Sequence, residues 1–236
     1  MSKLRVWLAQ VNSTFGNSAF LPYSVGLLQA YALKDDVIRE HYEFCGFVFL
    51  REDIPSCVTR IGKVDVFAAS LYIWNHNYTV ALAKAVKEAN PDCLIILGGP
   101  HVPVRSEGFF QKHPWADVLI HYEGEETFRE VLRERALYRE YPGDANYWEI
   151  AGVSLENVMG ETKKTPDRPR MTDLDQIPSP YLTGLFDGLM SQQKWDMHAS
   201  QETHRGCPYS CTFLRLGECN SNQSAGFFDR TGSCRV

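Results

Sequence analysis

The sequence lacks several features that would point to a membrane or a nucleic acid. No apolar stretch approaches the roughly 20 residues that a membrane-spanning helix needs. The N-terminus, MSKLRVWLAQV, has neither the long apolar region nor the small-residue cleavage site of a secretory signal. There is no long basic run, and the net charge is -5, which argues against a nucleic-acid-binding surface. These absences predict a soluble, cytoplasmic protein without a membrane or nucleic-acid partner.

Residues 1–140 alternate short apolar runs with amphipathic stretches, and 44% of the whole chain is hydrophobic. The run VDVFAASL is apolar nearly throughout, as expected for a strand covered on both faces. Repeated strand–helix alternation predicts an α/β fold with a doubly wound parallel sheet of five strands, in flavodoxin-like or Rossmann-like order. The predicted strands are Leu4–Val11, Tyr42–Leu50, Val64–Leu71, Cys93–Leu97 and Asp117–His121.

The periodicity weakens after this domain. Residues 141–195 include the polar, proline-bearing segment KKTPDRPRM, which indicates a linker. Within this stretch Trp148–Val158 is a candidate short strand. The segment IPSPYLTGLFD, Ile177–Asp187, has the composition of an ordered piece that packs between domains.

Four loops follow predicted strands, and the carboxyl ends of parallel strands share one edge, where open α/β sheets bind ligands. Tyr72 and Trp74 offer aromatic surface there, and Gly98 and Gly99 would let a ligand approach the backbone, although turns also need glycine for their own sake. The pattern suits a large, flat, partly apolar ligand. The candidate binding residues are Asn12, Ser70, Leu71, Tyr72, Trp74, Asn75, Gly98, Gly99, Pro100, His101, Glu123, Gly124 and Glu125.

The segment ETHRGCPYSCTF contains two cysteines, Cys207 and Cys211, with three residues between them. Such a pair by itself fits a structural zinc half-site or two unrelated thiols. In its RGCP context it resembles the Cys-x-x-x-Cys-x-x-Cys motif of radical S-adenosylmethionine (SAM) enzymes. There, three thiolates hold a 4Fe–4S cluster, whose fourth iron binds SAM.

The resemblance extends over roughly residues 4–213, through SVGLLQAY, VDVFAASLY, LGGPHVP, EGEETF and IPSPYLTGLFD. These segments are similar to cobalamin-binding radical SAM proteins. The resemblance implies a B12-binding domain in residues 1–140 and the start of a radical SAM (β/α) barrel in residues 196–214. It implies cobalamin, SAM and a 4Fe–4S cluster on Cys207 and Cys211 as cofactors, with an electron donor such as flavodoxin or ferredoxin. The implied reaction is radical methyl transfer or a related C–H functionalisation of a substrate that the sequence does not reveal.

The sequence departs from related patterns at the loop after the first strand. Cobalamin domains of the mutase and methionine synthase type carry Asp-x-His-x-x-Gly there, and the histidine ligates cobalt. Here the loop is NSTFG, so that any cobalamin would bind without this lower ligand.

A second departure lies at position 214, where leucine stands in place of the third cysteine and only residues 215–236 follow. This tail has no helix or strand periodicity. One choice of codons for residues 213 onward, read with a single base removed, encodes FCDWGS and so restores the third cysteine. We therefore hypothesise a single-base insertion near codon 214. The chain as written is expected to be truncated, to lack the catalytic barrel and to be inactive. Two alternatives stay open: a stand-alone cobalamin-binding module, and a flavodoxin-like domain that binds nothing.

Overall fold

The computed structural model describes residues 2–140, 145–157, 159–191, 194–203 and 205. The chain divides into two compact units. The larger unit comprises Met1–Arg168 and Ile177–Ser200, and the smaller one comprises Pro169–Gln176 and Gln201–Val236. The described part of the smaller unit contains a 3-10 turn at Leu174–Gln176. The predicted cluster ligands Cys207 and Cys211, and the tail after them, lie outside the described residues.

All named strands and α-helices belong to the larger unit. The strands are β1 (Leu4–Asn12), β2 (Ser18–Phe20), β3 (Tyr42–Leu50), β4 (Val66–Ser70), β5 (Leu94–Gly98), β6 (Val118–Ile120), β7 (Val153–Glu156), β8 (Thr162–Lys164) and β9 (Asp196–His198). The helices are α1 (Tyr23–Ala32), α2 (Asp36–His41), α3 (Ile54–Ile61), α4 (His76–Ala89), α5 (Phe109–Lys112), α6 (Glu125–Leu137) and α7 (Asp187–Met190).

The main sheet has the order β3-β1-β4-β5-β6-β7-β8, and its first five strands are parallel. Numbered among themselves along the chain, these five strands run 2-1-3-4-5. This order confirms the predicted flavodoxin-like, doubly wound sheet.

Alternate residues of the strands fill two apolar layers. Val6 and Leu8 of β1 face a cluster that includes residues of α1 and α6. Trp7 and Ala9 face the opposite cluster, to which α3 and α4 contribute. Because both faces are covered, the central strands are apolar almost throughout.

The sheet continues beyond the five predicted strands. Strands β7 and β8 add to it in antiparallel orientation, and Ser154 pairs with Leu119 of β6. Part of the stretch expected to be a linker is therefore sheet. Burial accounts for the difference, because Val153 and Ser154 are fully buried and cover β6, which would otherwise be an open edge.

The described residues of 177–200, here called the strap, pack onto α1. The ring of Phe186 is fully buried and lies where a Cβ on Gly26 would stand, 2.3 Å from Cζ. Tyr181 stacks on Tyr23 with 5.9 Å between ring centroids. The predicted ordered segment is thus built into the larger unit. Over the described parts of the chain, no helix is both long and apolar enough to cross a bilayer.

Candidate functional site

The switch point of the sheet lies between β1 and β4, because the chain passes from β1 to β3 on one side and then crosses back to β4 on the other side of β1. Asn75 is fully buried at this point. Its Nδ2 donates to the carbonyls of Val11 (3.1 Å) and Ser70 (3.0 Å), and its Oδ1 accepts from the Tyr72 amide (2.8 Å). One side chain therefore ties together the carboxyl ends of β1 and β4.

The loop that Asn75 holds presents apolar surface to solvent. The rings of Tyr72 and Trp74 stack with 4.5 Å between centroids and 16° between planes. Trp74 is 51% exposed and Ile73 is 77% exposed. The Arg51 guanidinium donates to the Trp74 carbonyl and links this loop to the segment after β3.

Gly99 brings the loops after β4 and β5 into contact. Its φ is +97°, and a Cβ would stand 2.7 Å from the Leu71 carbonyl oxygen and from Ser70 Oγ. The neighbouring backbone is also bonded, because the Leu71 amide donates to Gly98 (2.7 Å) and the His101 amide donates to Leu71 (3.0 Å). Glycine at position 99 is therefore needed for the close packing of these two loops, whether or not a ligand also approaches its backbone.

Asn12 ends β1 and is 7% exposed. Its Nδ2 donates to the Phe20 carbonyl at 3.3 Å, so that the side chain spans the loop between β1 and α1. Two residues earlier, Gln10 Oε1 accepts from both the amide and the hydroxyl of Ser24, each at 2.8 Å, in the first turn of α1. Sequence reasoning missed Gln10, although a glutamine inside an apolar strand was a signal.

The loop after β6 leads into α6. Tyr122 adopts a left-handed φ of 57° and is 48% exposed. A Cβ on Gly124 would stand 3.2 Å from Leu28 Cδ2, so that this loop packs closely on α1. Glu125 is 5% exposed at the first position of α6, and Glu123 is half-buried.

Pro100 and His101 are exposed after β5. The ring of His101 lies edge-on to His76, with 4.9 Å between centroids. Among the residues that the structure describes, no three histidine, cysteine, aspartate or glutamate side chains form a metal site.

A buried polar chain behind these loops had no clear sequence signal. His121 Nε2 lies 2.7 Å from Ser154 Oγ, which also accepts from Ser106 at 2.8 Å. Burial lowers the pKa of His121 to about 4, and the positive charge of Lys164 adds to this effect. The imidazole is therefore neutral at pH 7. These hydrogen-bonded side chains connect the loop after β5 to the end of β6 and to β7. Ser154 lies on β7, within the stretch that was expected to be a linker.

An open, parallel α/β sheet with ordered, partly apolar loops at its carboxyl edge defines a flavodoxin-like cofactor-binding domain. Residues 23–132 match the family of the B12 binding domain. Over most of its length the chain is similar to cobalamin-dependent radical SAM methyltransferases.

Two curated relatives are methyltransferases. The chain is 41% identical over 203 residues to the 2-(S-pantetheinyl)-carbapenam-3-carboxylate methyltransferase of Streptantibioticus cattleyicolor, and this covers 84% of the chain and 29% of the relative. It is 40% identical over 217 residues to the cobalamin-dependent radical SAM methyltransferase TokK of Streptomyces tokunonensis, and this covers 89% and 30%.

A solved structure is similar in fold. It is that of the cobalamin-dependent SAM radical enzyme OxsB with aqua-cobalamin and SAM bound, with a TM-score of 0.66 and 22% identity. The match covers 90% of this chain and 28% of the OxsB chain. The chain thus spans about three tenths of the length of the relatives it matches.

Proposed function

We propose that the loops at the carboxyl edge of the sheet bind cobalamin, and that the complete protein uses it in radical-based methyl transfer with SAM and a 4Fe–4S cluster. The alternative in which the chain works as a corrinoid-binding module without catalysis shares the first half of this proposal. The residues of the edge are therefore the part to test first.

The supporting observation is the distribution of exposed apolar side chains. Eleven large hydrophobic residues in the described chain are exposed, and five of them lie in loops that follow β1, β4, β5 or β6. These five are Phe15, Ile73, Trp74, Val104 and Tyr122. Exposed apolar groups concentrated at one edge mark a surface that a partly apolar ligand can cover.

The edge fits a corrinoid in a particular way. Trp74 and Ile73 offer apolar surface to the flat macrocycle, while Asn75 keeps their loop in place. The loop after β1 contains no histidine, so that it offers cobalt no imidazole. When bound, cobalamin supplies a transferable methyl group, and the protein positions it and limits the access of water.

Titration of the full chain with aquacobalamin, followed by visible absorption, tests the binding. Trp74→Ala together with Ile73→Ala should weaken binding by about tenfold or more, because two exposed apolar contacts would be lost. The matched control is Leu137→Ala, which truncates a 66% exposed apolar side chain at the far end of α6. If the visible spectrum of aquacobalamin did not change when excess wild-type protein was present, the proposed binding would be refuted.

The cluster half of the proposal has its own test. Two thiolates are too few ligands to hold a 4Fe–4S cluster firmly, whereas this motif usually provides three. After anaerobic reconstitution, iron and sulfide analysis should find far less than one cluster per chain, and Leu214→Cys should raise this content. A stable, near-stoichiometric cluster on the unaltered chain would contradict the importance of the third cysteine.

A further inference from the structure

We infer that strand β9 of the strap is a positioning element of the corrinoid site, and that full corrinoid affinity therefore requires the backbone pairing of residues 196–198 with β2 in addition to the flavodoxin-like sheet. This inference rests on the proposed function. It extends the site well past residue 132, where the match to the B12 binding domain ends.

The loop between β1 and α1 has little sheet support of its own. It turns at residues 15–18 through two backbone bonds between Phe15 and Ser18, of 3.1 and 3.0 Å. Beyond this turn, the strand that pairs with β2 in the described chain is β9. The conformation of this loop therefore depends on a segment from much later in the chain.

The pairing of β2 and β9 is parallel and continuous. Ser18 lies opposite Asp196, and Phe20 lies opposite His198. The Asp196 amide donates to Asn17 at 2.9 Å at one end, and the Leu21 amide donates to His198 at 3.0 Å at the other. The rings of Phe20 and His198 add a side-chain contact, with 5.3 Å between centroids.

The strap fixes β9 relative to the sheet. Phe186 is buried against Gly26 and Phe47, and its ring centroid lies 5.5 Å from that of Phe47. The Tyr181 hydroxyl donates to the Ser200 carbonyl at 2.5 Å, just beyond β9. Both sides of β9 are thus anchored, so that β9 can hold β2 in place.

The link to the binding edge runs through Phe20. Phe20 is paired with His198 in the β2–β9 ladder. The Phe20 carbonyl accepts a hydrogen bond from Asn12, the candidate binding residue at the end of β1. Loss of the β9 pairing would free Phe20 and with it the position of Asn12. The expected consequence is weaker corrinoid binding by a protein whose main sheet is intact.

The test compares two substitutions of one residue in the full chain. Asp196→Pro removes the amide that donates to Asn17, whereas Asp196→Ala removes the Asn17 side-chain contact and keeps the amide. Asp196→Pro should raise the Kd for aquacobalamin about tenfold, as expected for one or two lost backbone hydrogen bonds, and Asp196→Ala should stay near wild type. Thermal unfolding of both variants and the wild type measures whether the main sheet stays intact.

Hydrogen exchange adds a readout that separates positioning from stability. The Leu21 amide should exchange more slowly when aquacobalamin is added to the wild type, and this protection should be lost in Asp196→Pro. If Asp196→Pro does not fold, Tyr181→Phe decides, because it removes the bond to Ser200 and keeps the ring; its Kd should rise about threefold.

The outcomes are distinct. Failure of wild-type protein to bind corrinoid would refute the proposed function itself. Wild-type binding with an unchanged Kd in Asp196→Pro, or in Tyr181→Phe where the proline variant does not fold, would overturn the role of β9 and leave the proposed function standing.

Discussion

Two asparagines at opposite ends of α4 make the same kinds of contact at opposite edges of the sheet. Asn75, before the helix, joins β1 and β4 at the carboxyl edge through three side-chain hydrogen bonds. Asn90, after the helix, accepts from the Val64 amide (3.2 Å) and donates to the Gly62 carbonyl (3.2 Å) at the amino edge. Both edges are therefore closed by amide side chains bonded to backbone.

The two edges differ in what they leave exposed. At the amino edge, Lys87 pairs with Asp117 at 2.9 Å, and Asp117 accepts from the Ile95 amide at 2.7 Å. At the carboxyl edge, Trp74 and Ile73 are exposed beside a fully buried Asn75. Because the carboxyl edge is as well bonded as the amino edge, its exposed apolar groups do not result from loose structure. They fit the corrinoid-binding surface that we propose.

The largest expected effect is that of Asn75→Ala. It would leave the Val11 carbonyl, the Ser70 carbonyl and the Tyr72 amide without the fully buried side chain that now bonds them. We expect the free energy of unfolding to fall by about 3–4 kcal/mol. Urea denaturation measures this change, and absorption titration should show weaker binding of aquacobalamin.

Asn90→Ala is the matched control at the other edge. Asn90 is half-buried, so that its loss should cost less, about 1–2 kcal/mol, and leave the Kd for corrinoid unchanged. Equal effects of the two substitutions on corrinoid binding would remove the distinction between the edges.

Gly99→Ala is expected to follow in size. A Cβ there would stand 2.7 Å from the Leu71 carbonyl oxygen at a φ of +97°, so that loop backbone must move. We expect a loss of about 2–3 kcal/mol, measured by urea denaturation. Gly160→Ala serves for comparison, since its φ is +77° with nothing within 4 Å, and strain alone should cost about 1 kcal/mol.

A loss in Gly99→Ala no greater than that in Gly160→Ala would show that the loops after β4 and β5 can separate easily. In that case the close contact at Gly99 would not help to shape the carboxyl edge.

The parallel sheet was predictable because its signals are local. Apolar runs such as VFAAS of β4 are long enough to recognise, and the helices between them set the parallel order. The position of the candidate site followed from the same order, because the ends of parallel strands meet at one edge.

The parts that sequence reasoning missed depend on distant contacts. Strand β8 is Thr162–Lys164, three polar residues without a strand pattern, and it exists by pairing with β7. Gly26 gives no sign within α1 that the ring of Phe186 will cover it. The pairing of β9 with β2 is of the same kind, since neither three-residue strand is recognisable alone.

Lys87→Met tests the amino edge with a smaller expected effect. It removes the partner of Asp117, whose pKa burial already raises above its usual range against the attraction of Lys87. We expect a loss of about 1–2 kcal/mol at pH 7 and no change in corrinoid affinity. The gap between variant and wild type should narrow at acidic pH, where Asp117 becomes protonated. Weaker corrinoid binding in this variant would contradict the separation of the edges.

The remaining expected effect is a pH dependence and concerns His121, which lies behind the carboxyl edge. Its pKa is about 4 in the folded protein and near 6.5 when the chain unfolds, so that between these values the unfolded chain binds a proton that the folded chain does not. Stability should therefore fall on acidification through this window, by at most about 1.4 kcal/mol per pH unit from this group. Urea denaturation at pH 7 and pH 5 measures the change.

His121→Gln isolates this contribution, because all other titrating groups are shared with the wild type. The variant should be less stable at pH 7, since it disturbs the contact with Ser154, but this deficit should shrink at pH 5 as the wild type loses the stability of its neutral imidazole. A deficit that stays constant from pH 7 to pH 5 would mean that His121 titrates normally. The chain of Ser106, Ser154 and His121 would then be open to water, and the carboxyl edge would be less firmly supported than the amino edge.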